Sequence, residues 1–296
     1  MDADGVRVVL KCIMQQSQPL ALRLCEHERV HGGHHIPQPS PLNSLRGLHS
    51  VLQRLHTLDI SQGYNVQTMS TLRSCANLHT LDMSRCCYVT DVSALAKCAS
   101  LHTLDMRACS KAKNITSVLG TCANLRALDI SDCYQVTDVS ALAKCASLHT
   151  LVMIRCCNLT DVSALGGLHT LNMRGCCWVT DVSMLGGLHT LDIESCRLVT
   201  DVSALGSGCL HTLNISSCYQ VTDVSMLGGL HTLHMRDCDR VTDVSALGGL
   251  HTLDMRDCYQ VTDMSMLVGR VRQLNFTPEE KRTGIKWCRY VFIAPL

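Results

Sequence analysis

The sequence predicts an α/β solenoid, a horseshoe or arc with a parallel β-sheet on its concave side and short helical or 3-10 turns on its convex side. Three observations predict it. A motif L-x-x-L-x-[MI] opens at Leu55, Leu78, Leu101, Leu125, Leu148, Leu168, Leu188, Leu210, Leu230 and Leu250 and fades at Val271, in steps of 20 to 24 residues. A cysteine follows eight residues after the opening leucine in nine of those ten copies, at Cys86, Cys109, Cys133, Cys156, Cys176, Cys196, Cys218, Cys238 and Cys258. A segment close to V-T-D-V-S-x-L then completes most copies. Self-similarity at such a period marks units that cannot bury an apolar face alone and must stack.

The chain divides into four parts. Residues 1–40 hold no repeat; they contain Cys12, Cys25, His27, His31, His34 and His35 at spacings that fit no ring or finger pattern, so no metal is assigned. In residues 41–54, Ser40 and Pro41 precede Leu42, Leu45, Leu48 and Leu52 at helical spacing, which predicts a helix capping the open end of the core. Residues 55–276 carry the array. Residues 277–296 begin with Thr277, Pro278 and Glu280, a capping box that opens a C-terminal cap.

Within a copy, the opening leucine is position one. Leu at positions one and four and Met or Ile at six alternate with polar residues, the pattern of a strand with one face in the core. After the ninth-position cysteine comes a turn. The two valines and the leucine of V-T-D-V-S-x-L then recur every third residue, which suits a 3-10 or helical turn capped by its Asp. Copies up to Leu148 carry extra residues such as A-K-C-A-S-L, whereas later ones close mostly on Gly-Gly. The third copy, S-K-A-K-N-I-T-S-V-L-G-T-C, is the most degenerate and is expected to hold a small bulge or loop.

Composition narrows the function classes. The chain has 296 residues and a formal charge of +1, from 26 basic and 25 acidic residues, which gives no electrostatic case for nucleic acid. No apolar run reaches the roughly 18 residues needed to span a bilayer. The opening M-D-A-D-G-V-R-V-V-L-K places acids where a secretory signal carries bases, which argues for a cytoplasmic or nuclear protein. Sequons at Asn114, Asn158, Asn214 and Asn275 nominally permit the weaker alternative of a secreted ectodomain. The chain has twenty cysteines, and the nine at position nine are expected to form a column of buried reduced thiols, because equivalent positions in stacked units point the same way.

The pattern L-x-x-L-x-[MI]-x-x-C-x-x-V-T-D-V-S-x-L resembles a leucine-rich repeat. Its V-T-D-V-S-A-L segment is similar to the I-x-D-I-x-x-L half of the internalin-like class. Cysteine at position nine, where most such repeats carry Asn, resembles the cysteine-containing class of F-box proteins. The run is also similar to protozoan leucine-rich proteins described as regulators of adenylate cyclase. The resemblance covers about Leu48 to Phe276. It implies a fold and protein binding, and it leaves the partner unnamed. An F-box itself is unsupported, since residues 1–40 have neither its Leu-Pro opening nor its Trp.

Catalysis is not expected. Position two is His in nine copies, with Arg126 the exception, and position five is usually Asp. Chemistry needs groups whose environments differ, and these rungs are nearly alike. The reading is therefore a non-enzymatic, cofactor-free, metal-free and monomeric module or scaffold that binds a protein on its concave face. The alternative is the substrate-recognition subunit of a ubiquitin ligase, or a regulator of a signalling enzyme such as adenylate cyclase. The varying positions on that face and its rim supply the candidate binding residues. In the first half they are His102, Asp105, Arg107, Arg126, Asp129 and His149. In the second they are Asn172, Arg174, Trp178, Asp192, Glu194, Asn214, Tyr219, His234, Arg236, Asp254, Arg256 and Tyr259. The histidine column carries one further expectation, that neighbouring rings repel once protonated below about pH 6.

Overall fold

A computed structural model describes residues 19–24, 30–31, 34–35 and 49–277. Residues 41–48 of the expected N-terminal helix, the expected C-terminal cap beyond Thr277, and Cys12, Cys25 and His27 lie outside the described residues. The chain forms two compact units, Met1–Val152 and Met153–Leu296.

In the first unit, β1 (Leu20–Arg23), β4 (Leu55–Asp59), β5 (Thr80–Asp82), β6 (Thr103–Asp105), β7 (Ala127–Asp129) and β8 (Thr150–Val152) lie side by side, all parallel. Two short strands, β2 (Val30–His31) and β3 (His34–His35), pair antiparallel. Helix α1 (His49–Arg54) leads directly into β4, and its Val51 and Leu52 are buried. In the second unit, β9 (Thr170–Asn172), β10 (Thr190–Asp192), β11 (Thr212–Asn214), β12 (Thr232–His234), β13 (Thr252–Asp254) and β14 (Gln273–Asn275) are likewise parallel and in chain order. Register is strict among the repeat strands of each unit: Thr57, Leu58 and Asp59 face Thr80, Leu81 and Asp82, and Thr190, Leu191 and Asp192 face Thr212, Leu213 and Asn214, whereas β1 shifts against β4 between Leu20 and Ala21.

The seven apolar positions of a copy form the core. In the rung from Leu188, residues Leu188, Leu191, Ile193, Cys196, Val199, Val202 and Leu205 are all 1% exposed or less. No single rung encloses these side chains, so each core column is closed by the rungs on either side.

Backbone hydrogen bonds between rungs extend past the strands. The His189 and Thr190 N–H groups both donate to the His169 carbonyl, Ile193 N–H donates to the Asn214 carbonyl, and Ser195 N–H donates to the Ser216 carbonyl. The last of these needs position eight in the left-handed region, and every copy obeys: Gln62, Arg85, Ala108, Asp132, Arg155, Gly175, Ser195, Ser217, Asp237 and Asp257 all have positive φ. Only Gly175 adopts this φ, +71°, without the Cβ strain that the other nine accept. The chain thus turns at position eight while its N–H stays on the ladder.

Position nine follows that turn inward. Cys109 Sγ donates to the Met83 carbonyl at 3.1 Å, Cys176 to Met153 at 3.2 Å and Cys238 to Ile215 at 3.3 Å, each acceptor being position six of the preceding rung. No disulfide joins the described cysteines. Burial pushes the Cys218 and Cys133 thiols up to about 12, so the column stays protonated and inert as a nucleophile.

The second half of the copy closes on 3-10 turns such as Ser93–Lys97, Ser203–Ser207 and Ser245–Gly249. The N-cap residue is the valine, and the Asp at position fourteen precedes it, holding the entry to the turn: Asp91 and Asp201 Oδ1 each accept the N–H of the Ser two residues on at 2.8 Å. That hydrogen bond holds Asp201 below the usual carboxylate range. The third copy differs from the expected bulge or loop. It forms a short α-helix, α2 (Ile115–Leu119), because one inserted residue places the buried Leu119 four rather than three residues after Ile115.

Long and short copies pack their turns differently. In the first unit Cys75, Cys98, Cys122 and Cys145 form a second buried column, with Cys145 Sγ on the Leu119 carbonyl at 3.0 Å and Cys98 Sγ on the Leu72 carbonyl at 3.5 Å. In the second unit the turns close on glycine. A Cβ added to Gly206 would stand 1.9 Å from the Met226 carbonyl oxygen, so the shorter rung depends on that bare backbone.

Replacing Cys196 by Ala removes a fully buried sulfur and its hydrogen bond. It is expected to lower stability by about 1 to 2 kcal/mol, while Cys209→Ala, at an exposed thiol, leaves the denaturant midpoint unchanged.

Candidate functional site

The strand face of each unit and the rim that follows it hold the eighteen candidate binding residues. Position two projects from the start of each strand, position five from its end, position seven just beyond, and positions ten and eleven lie on the rim past the left-handed residue.

In the first unit Arg107 Nη2 lies 2.7 Å from Asp105, and its Nε lies 3.6 Å from Asp129 on the next strand. Asp129 is itself raised, first by burial, despite the Ser131 hydrogen bonds that oppose the shift. Arg126 and His149 border a shallow depression together with Ala127, Ser147 and Thr150. His102 stacks on His79 with ring centroids 4.9 Å apart, and His79 stacks on His56 at 3.9 Å.

In the second unit Arg174 pairs with Glu194 at 2.8 Å, and Glu194 also accepts a hydrogen bond from Asn214 Nδ2 at 3.3 Å. Arg256 Nε donates to Asp254 Oδ1 at 2.8 Å, and Arg236 lies 3.9 Å from Asp257. Burial alone would raise the Asp254 carboxyl, but the Arg256 hydrogen bonds and charge outweigh it and hold the group low. Asp192 goes the other way, raised chiefly by burial. On the rim Trp178 is 60% exposed, Tyr259 51% and Tyr219 38%. The Tyr259 hydroxyl donates to Asp257, and the Arg197 guanidinium stands 5.9 Å from the Tyr219 ring centroid.

Position five has a second role that alternation alone does not reveal. Asp105, Asp129, Asn172, Asp192, Asn214 and Asp254 each turn a side-chain oxygen back onto the N–H of position seven, at 2.9 to 3.3 Å. These Asx turns fix the chain's exit from the strand. Where position five is His234 that oxygen is lost, and the Ser216 hydroxyl of the neighbouring rung accepts the Arg236 N–H instead at 3.2 Å. The face is therefore partly spent on its own backbone. The side chains most available to a ligand are those of positions seven, ten and eleven.

Several features of the surface escaped sequence reasoning. Asp257 serves both Arg236 and Tyr259, yet it sits at the left-handed position. Lys111 Nζ lies 4.4 Å over the Tyr88 ring in the first unit. On the 3-10 side Met184 and Met226 are 62% and 54% exposed, and they alternate in sequence with Ala164, Ala204 and Ala246, a two-copy period that was readable. β1 was also unforeseen. Its Leu20 and Leu22, with Leu24 just beyond it, show the alternation of a strand, and Arg23 Nε reaches Asp59 at 2.9 Å.

The histidines form stacked columns. In the second unit the rings of His169, His189, His211, His231 and His251 follow one another at 4.3 to 4.9 Å with interplanar angles of 6° to 15°. Their Nδ1 atoms lie 3.1 to 3.3 Å from the hydroxyls of Thr170, Thr190, Thr212, Thr232 and Thr252. His211 is pulled below the ordinary imidazole range by partial burial first and by the charges of His231 and His189 next. Among the described residues no group of three or more His, Cys, Asp or Glu side chains converges to hold a metal.

Comparison with known proteins agrees with this architecture. The family described as Leucine Rich repeat matches residues 74–96, a stretch about one copy long. An internalin (inlF) of Listeria monocytogenes superposes with a TM-score of 0.58 at 18% identity, over 94% of this chain and 95% of that one. An internalin C2 (inlC2) of the same organism gives a TM-score of 0.47 at 22% identity, over 82% of this chain and 99% of that one. No curated protein matches the sequence. The first superposition shows a shared fold.

The histidine stack generates a pH prediction. A group whose folded pKa is depressed below its unfolded value of about 6.5 adds stability that is present at higher pH and is lost as pH falls through that value. The denaturant midpoint is expected to drop between roughly pH 7.5 and 5.5. The variant His211→Gln should reduce that drop. A flat profile for the unaltered protein would contradict the stack's role.

Proposed function

We propose that this chain, a stack of leucine-rich repeats with an internalin-like fold, is a non-enzymatic interaction module that holds a protein partner against its strand face and rim. The observation that carries the reading is the division of labour within a rung. Seven positions repeat almost without change and are buried, while most residues that differ between copies at positions seven, ten and eleven are partly or fully exposed, Ser216 being a buried exception. In the second unit position seven runs Ile154, Arg174, Glu194, Ser216, Arg236 and Arg256, and the rim adds Trp178, Tyr219 and Tyr259. Exposed arginines and rigid aromatics are the residue types that dominate protein-binding surfaces. Surface ion pairs of the kind seen between Arg174 and Glu194 add little to stability, so they can exchange partners at small cost.

Two further points support the reading. The polar groups of successive rungs repeat with little to make one a base and another a nucleophile, which favours binding over chemistry. The protonated thiol columns suit a reducing compartment, cytoplasm or nucleus, and no helix among the described residues is long and apolar enough to cross a membrane. We take the module to act as a monomer.

Once a partner has been captured, Arg174→Glu combined with Arg236→Glu is expected to weaken it at least ten-fold, about 1.4 kcal/mol, with the circular dichroism spectrum unchanged. Met226→Gln, on the 3-10 side, should leave the affinity alone. Unchanged affinity in the double arginine variant, or a loss confined to Met226→Gln, would place the binding surface elsewhere.

A further inference from the structure

The described thiols fall into two chemical classes. Those of the inner columns donate to carbonyls of the preceding rung and are buried, and burial raises their pKa values. Cys157 and Cys177 belong to neither column. Each occupies position ten, one residue after an inner-column cysteine, so the chain sends Cys156 and Cys176 into the core and the next side chain out to the rim. Both rim thiols are half-buried.

Their rungs are adjacent, and their sulfurs lie 3.7 Å apart. Both also approach the same carbonyl, that of Gly175, at 3.3 Å from Cys177 and 3.7 Å from Cys157. Position ten is Arg197, Tyr219, Asp239 and Tyr259 in the other copies of this unit, so nowhere else there do two rim thiols adjoin. Cys87 holds the same position in the first unit, where the next rung offers Ser110.

We propose that Cys157 and Cys177 form a modification site, a dithiol that closes to a disulfide by exchange with a small-molecule disulfide of the oxidised-glutathione class. The geometry is nearly in place. The two cysteines occupy the same position in successive rungs, and their sulfurs, 3.7 Å apart, need only close to about 2.05 Å. The thiolate of one cysteine attacks the small disulfide, giving a mixed disulfide and one small thiolate. The second cysteine, as thiolate, attacks the protein sulfur of that mixed disulfide and expels the other small thiolate. In total two protein thiols and one small disulfide become one protein disulfide and two small thiols, the protein oxidised and the reagent reduced. The inner columns are stacked at the same spacing, but their sulfurs are engaged with carbonyls and lie where burial disfavours the thiolate, so they do not compete. The bond ties two successive rungs beside Trp178, on the rim of the proposed binding face.

The test uses the whole chain, treated with oxidised glutathione under native conditions, quenched in acid, alkylated and mapped by mass spectrometry without reduction. The expected result is a Cys157–Cys177 cross-linked peptide that has lost two hydrogens and retains no glutathione. Cys177→Ser should instead leave a stable glutathione adduct on Cys157, and Cys157→Ser one on Cys177. Glutathione adducts on both cysteines of the unaltered protein, a cross-link that includes Cys156 or Cys176, or modification of Cys209 with Cys157 and Cys177 untouched would each overturn the proposal.

Discussion

The structure depends on register: each rung must lie directly against the one before it, residue over residue. Parallel pairing of three-residue strands is weak by itself, and what fixes it is the set of contacts that repeat around the whole rung. Backbone N–H groups at positions two, six and eight reach the neighbouring rung's carbonyls, the position-nine thiol reaches the carbonyl of position six, and the core columns are closed only by stacking. A slip of one residue would turn Leu191 outward and Asp192 inward. This constraint explains why the inner half of each copy tolerates so little change, and why variation is confined to the surface.

The same constraint shapes the surface chemically. Because like residues stack, a polar position repeated in every rung becomes a column of like groups about 4.8 Å apart. The aspartates of position five escape mutual repulsion by turning onto their own backbone and by pairing with arginines of position seven, as Asp105 and Asp254 do. The histidines of position two stack ring on ring, and the downward shift of His211 within that stack ties the fold to pH. Where the column is broken, at Arg126, a shallow depression lies beside His149. Departures from the repeat therefore produce the local features from which recognition can be built.

Much of this was legible in the sequence because the period is fixed. The inner thiol column, the strand and the Asp at the entry to the 3-10 turn all follow from spacing alone. Other features were hidden for definite physical reasons. The left-handed residue at position eight carries no glycine signal except at Gly175, since the inter-rung hydrogen bond stabilises it with Arg, Ser or Asp equally. The double role of position five is invisible because an exposed Asp and an Asx-turn Asp read alike in an alternating strand. β1 was missed because one unrepeated Leu-x-Leu-x-Leu has no copy to align with, and the second thiol column because its cysteines lie in the residues that differ between long and short copies. For the proposed binding face the sequence named only candidate positions, and the pairings among them, such as Arg174 with Glu194 and Asp257 with both Arg236 and Tyr259, arise from the fold.

The register account is tested most directly by mapping thiol accessibility across the array. The native protein is given a brief pulse of an alkylating reagent at increasing denaturant, and each cysteine is read separately by mass spectrometry. The account predicts that Cys87, Cys157, Cys177 and Cys209 are modified without denaturant. Within each unit, Cys86, Cys109 and Cys133, or Cys176, Cys196, Cys218 and Cys238, should stay protected and become reactive together. Prompt labelling of these inner thiols in the native protein, or their exposure one by one far below the unfolding transition, would contradict it.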